Sequence, residues 1–97
     1  MSEDPVHRDT DARICGASTT VSGQANVYAN NLLISVDGDP NTHGGGGLIA
    51  ATNEVYINNK LVVNDTPDNA NPDGLCPLPP HCNPHTNQGS PDVYIGN

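Results

Sequence analysis

Val27-Tyr28-Ala29-Asn30-Asn31 returns 28 residues later as Val55-Tyr56-Ile57-Asn58-Asn59, and 38 residues after that as Val93-Tyr94-Ile95-Gly96-Asn97. Three tyrosines are all the Phe, Tyr and Trp of the chain, and each takes the same place in this unit. Asn tolerates positive φ, so Asn30-Asn31 and Asn58-Asn59 suit the two-residue primed turns that close β-hairpins. The flanking apolar runs are short: Ala25–Ala29, Leu32–Val36, Glu54–Ile57, Leu61–Val63 and Val93–Ile95. Nowhere do apolar residues recur with helical period over a helix length. The expectation is therefore an all-β chain of small hairpins, with residues 64–91, rich in Pro, Asn and Asp, as a long irregular loop.

Working outward, the residue twelve places before each repeated Val is Cys15, His43 or His81. One metal-competent side chain thus recurs per repeat. The third unit stops inside its turn, and its complement is expected at the other end of the chain. Shifted by 28, Pro5-Val6-His7-Arg8-Asp9-Thr10-Asp11 falls on Leu33-Ile34-Ser35-Val36-Asp37-Gly38-Asp39. We therefore expect one domain over residues 1–97, with repeats at about 12–39, 40–66 and 76–97, the last completed by 5–11. Three such units would close into a ring, each burying what it cannot bury alone.

Composition asks for reinforcement of this small fold. With 97 residues, no Phe or Trp and one Met, large side chains are almost absent. Chains this poor in core are commonly held by metal, oligomerisation or repetition. Three basic residues against eleven acidic ones give a net charge of −8, which disfavours nucleic-acid backbones and anionic membranes. No apolar run approaches the ~20 residues that span a bilayer, and no secretory leader is evident. Synthesis in the cytoplasm is the expectation. Three cysteines do not form a closed disulfide set, and a Cys76–Cys82 bridge is not expected to persist in a reducing compartment.

Pro5-Val6-His7-Arg8, followed by Asp9-Thr10-Asp11 and Cys15-Gly16-Ala17, resembles the Pro-Ala-Ala-Arg (PAAR) motif with its acidic turn and Cys-Gly-Ala. Gly38-Asp39-Pro40-Asn41-Thr42-His43-Gly44-Gly45 looks like the same family's GD-P-x-T-H-G-G segment, and Cys76-Pro77 through His81 is similar to a lengthened C-P-x-H. The chain thus resembles the PAAR-repeat spike-tip proteins of contractile phage tails and type VI secretion systems. That resemblance implies a small cone of β-hairpins about a pseudo-three-fold axis, with zinc near the apex. It also implies a monomeric, non-enzymatic protein of the virion baseplate. One copy would sit on a trimeric β-helical spike protein and touch the host envelope only during penetration. A zinc-stabilised adaptor of a virion or secretion particle, with no piercing role, is the alternative.

Structural zinc takes four N or S ligands in a tetrahedron. Cys15, His43 and His81 are expected to converge, with His85 as the fourth from a Pro-flanked loop. Cys76 and Cys82 are rival ligands that spacing leaves open, and iron is open beside zinc. Three His with one Cys is also what the resemblance implies. His7 falls at a strand position and reads as structural or exposed. Gly44–Gly47 lacks the Lys and Ser/Thr of a phosphate loop, and reads as room for loops crowding together.

Overall fold

The computed structural model describes residues 3–50, 55–66, 68–79 and 81–96, and among these described residues there are six short strands in three antiparallel pairs and no helix. The expected strand start at Glu54 and turn position Asn97 lie outside the described residues. Strand β1 (Glu3–Pro5) pairs with β6 (Tyr94–Gly96), β2 (Tyr28–Ala29) with β3 (Leu32–Leu33), and β4 (Tyr56–Ile57) with β5 (Lys60–Leu61). Asn30, Asn31, Asn58 and Asn59 all have φ between 52° and 69°, the left-handed pair that a primed turn requires. Register is common to all three pairs: Tyr28 faces Leu33, Tyr56 faces Leu61, and Tyr94 faces Pro5. The two ends of the chain are therefore joined in the way that the Asn-Asn turns join the other pairs.

The strands are shorter than the apolar runs led us to expect, because each chain leaves its hairpin partner after two or three residues. It then pairs with the next unit instead. Ser35 N–H donates to His7 C=O at 2.9 Å, Val63 N–H to Ser35 C=O at 3.0 Å, and His7 N–H to Val63 C=O at 2.9 Å. These three bonds form a closed cycle. Two residues on, three more bonds link the units in the opposite sense: Asp9 N–H donates to Leu33 C=O, Asp37 N–H to Leu61 C=O and Asp65 N–H to Pro5 C=O, each at 2.8 Å. The isolated bridges Val6–Asn64, Ile34–Arg8 and Val62–Val36 fill the same cyclic pattern. Each unit thus satisfies backbone groups that its neighbours would otherwise leave unpaired.

Among the described residues, more of the buried ones are polar or charged than apolar. One cluster joins Val6, Ala29, Ile34 and Val62, packed by Val55, Ile57, Val93 and Ile95. A second joins Leu48, Val63 and Ala70. Ile34, Val36, Val62 and Val63 are buried, so the runs Leu32–Val36 and Leu61–Val63 face mostly inward. Carboxylates do the remaining work by capping backbone turns. Asp11 Oδ2 accepts from Arg8 N–H at 2.9 Å, and Asp39 Oδ2 from Val36 N–H at 2.8 Å. The segment expected to be irregular is tied at Ala70 to Leu48, at Asp73 to Gly45 and at Thr86 to Arg13.

His7 is fully buried, which settles its two sequence readings in favour of the structural one. Its Nδ1–H must donate to Gln88 C=O at 2.7 Å, because a carbonyl only accepts. Nε2 then accepts from the Thr19 hydroxyl at 2.6 Å, while Thr19 Oγ1 accepts from Arg13 Nε at 2.7 Å. Burial pushes the His7 pKa below its ordinary value, so the neutral ring is the one this chain of bonds accommodates.

Candidate metal centre

Cys15 and His43 occupy matching turns. Arg13 N–H donates to Ala17 C=O and Asn41 N–H to Gly45 C=O, both at 2.9 Å. The third contribution comes from residues 73–82, where Asp73 N–H donates to His81 C=O at 2.9 Å and closes a loop. These three segments bring Cys15, His43, Asp73 and His81 together, with one ligand atom from each inside a 4.8 Å span. Cys15 Sγ lies 3.8 Å from His43 Nδ1. Asp73 Oδ2 lies 3.3 Å from His43 Nδ1 and 3.1 Å from His81 Nδ1. The two imidazole centroids are 5.0 Å apart.

Three of the four residues expected as ligands are therefore neighbours. His85 stands outside the group, its Nδ1 donating to Thr86 C=O at 3.0 Å, and Asp73 stands within it. Cys76 and Cys82 are removed as ligands because they form a disulfide with each other, contrary to the expectation that this bridge would not persist. Cys15 is the free cysteine. Nothing in the sequence separated Asp73 from the other acidic residues around it, and its place opposite Gly45 is a tertiary fact.

Asp73 is where the centre's electrostatics concentrate. Its side chain is buried, which by itself pushes the carboxyl pKa up. Leu75 N–H donates to Oδ1 at 2.8 Å, and His81, Asn41 and His43 approach Oδ2. Together these donors outweigh the burial and hold the carboxyl well below the usual carboxylate range. Asn41 braces the centre further: its Nδ2 lies 3.0 Å from Asp73 Oδ2, and its Oδ1 accepts from His43 N–H at 2.9 Å. Beneath them Arg13 is buried, with its guanidinium donating to Gly46, Pro84 and Asp39 carbonyls and to Thr19 Oγ1. Burial lowers the Arg13 pKa to about 10, with Cys15, Asp73 and Asp39 opposing the shift.

This donor set can hold a metal ion. In a tetrahedron with Zn–S of about 2.3 Å and Zn–N or Zn–O of about 2.0–2.2 Å, ligand atoms stand roughly 3.3–3.6 Å apart. The separations of 3.1, 3.3 and 3.8 Å here bracket that range. No protein-family model matches the chain, and no curated protein matches it.

Proposed function

We propose that this chain is the non-enzymatic tip of a contractile injection machine, of the kind carried by T4-like phage tails. One copy would cap a trimeric β-helical spike and sharpen it for passage through the host envelope. The observation that carries this reading is the closed backbone hydrogen-bond cycle through His7, Ser35 and Val63, flanked by the bonds from Asp9, Asp37 and Asp65 to Leu33, Leu61 and Pro5. A monomer whose backbone repeats itself three times about one ring matches the symmetry of a trimer's end at one copy per three chains. Support also comes from Tyr28, Tyr56 and Tyr94, which share one register and are 58%, 59% and 49% exposed. Exposed aromatics are favoured anchors of protein interfaces.

In this reading the hairpins form a cone whose broad end carries the tyrosines. The Cys15, His43, Asp73 and His81 loops follow these bonds along the repeats and form the apex, where zinc would keep them from splaying under load. Four protein ligands complete a structural zinc site and leave no open position for a reacting water. The motif resemblance to PAAR-repeat tips points the same way. Mixing the chain with a candidate trimeric β-helix protein and weighing the complex tests it. One tip per three spike chains is expected, with binding weakened by Tyr28→Ser, Tyr56→Ser and Tyr94→Ser together. Binding to a monomeric partner alone would favour an adaptor and overturn the spike reading.

A further inference from the structure

We propose that the Cys76–Cys82 disulfide is a redox latch on the metal centre. This rests on the metal reading above and extends it to control of that site. Residues 73–82 supply two of the four donors, Asp73 and His81. His81 is joined directly to Cys82, and Cys76 N–H donates to Asp73 C=O at 3.2 Å. The bridge therefore closes a ring on the same loop, with one end bonded to the residue that carries the carboxylate and the other next to the imidazole. Closing a ring removes conformations that the loop would otherwise have to give up when a metal orders it. The Asp73–His81 backbone bond alone is a weak restraint on an exposed loop.

The latch is reachable. Cys82 is exposed, and it lines a hollow of about 310 Å³ with Ile14, Pro77, Pro79 and Asn83. A small dithiol attacking there breaks the S–S bond. Two electrons and two protons pass to Cys76 and Cys82, and the dithiol leaves as its own disulfide. Cys15 keeps its thiol in both states. Oxidation removes from competition the two thiols that rival it for a soft cation, and reduction returns them to the loop that holds His81. The centre is thus loose while the chain is in a reducing compartment and set when it leaves.

The experiment uses the full chain and zinc alone. Zinc affinity is measured by competition with a chromogenic chelator before and after a phosphine reductant, and again on the Cys76→Ser/Cys82→Ser variant. Thiol titration in denaturant should count one free thiol in the oxidised chain and three after reduction. Both the reduced chain and the double variant are expected to bind zinc about ten- to fifty-fold more weakly than the oxidised chain. Equal affinity in both redox states would overturn the latch and leave the metal reading standing. Reduced wild type binding as tightly as oxidised, with only the double variant weakened, would make the cysteines ligands and also overturn it. Absence of zinc binding in the oxidised chain would overturn both.

Discussion

Asp73 Oδ2 lies 3.1 Å from His81 Nδ1, and this carboxylate also meets His43 Nδ1 at 3.3 Å, so a single oxygen organises both imidazoles. Asp73→Asn keeps the size of the side chain and removes its charge. Zinc affinity should fall at least about tenfold in a chelator competition. His85→Ala should leave affinity within about twofold, since Cys15, Asp73, His43 and His81 already offer four ligand atoms, the number a structural zinc takes. The reverse ranking would return the fourth position to His85.

Metal removal should destabilise the protein without dispersing its strands. Structural zinc contributes a large share of the stability of small domains. The backbone cycle through His7, Ser35 and Val63 includes none of the four donors, however. Stripping zinc should lower Tm by on the order of 10–20 °C, with the far-ultraviolet spectrum retained below the transition. An unchanged Tm would count against a structural metal.

Gly46 has φ of +68°, and a Cβ built there would stand 2.7 Å from Asn41 Nδ2 and 3.2 Å from Asp73 Cβ. Both neighbours brace the metal centre. Gly46→Ala should therefore cost about 1–3 kcal/mol in urea unfolding and weaken zinc binding as well. Stability lost without any change in zinc binding would separate the glycine run from the centre.

The buried His7 gives stability a defined pH dependence. Its folded pKa lies below the unfolded value of 6.5, so the unfolded chain takes up the proton first as pH falls. The stability it contributes is complete above about pH 6.5 and declines as pH drops toward the depressed folded value. Asp11 and Asp65 oppose that depression, and Arg13 reinforces it. Urea unfolding of metal-free protein between pH 7.5 and 5 should show this loss, and His7→Gln should flatten it. Equal slopes for the two proteins would place His7 outside the effect.

The hairpins were legible because their signals are local and repeated. Asn-Asn pairs turn the chain wherever they occur, and the tyrosines mark one register three times. Cys15, His43 and His81 could be found for the same reason, by counting back from each repeated Val. Asp73 could not, because it lies between the second unit, 40–66, and the third, 76–97, where repeat counting has no reference. His85 follows His81 by four residues along the chain, and its Nδ1 donates to Thr86 C=O.

By itself the sequence determined the all-β character, the primed turns, the tyrosine register and three donors of the candidate centre. Backbone preference and repetition need no partner to be read. Only the tertiary structure decided that Cys76 pairs with Cys82, that His7 is enclosed, and that Asp73 joins the donors. Each of these depends on which groups from distant positions must satisfy one another once water is excluded. That is a property of the closed ring rather than of any one repeat.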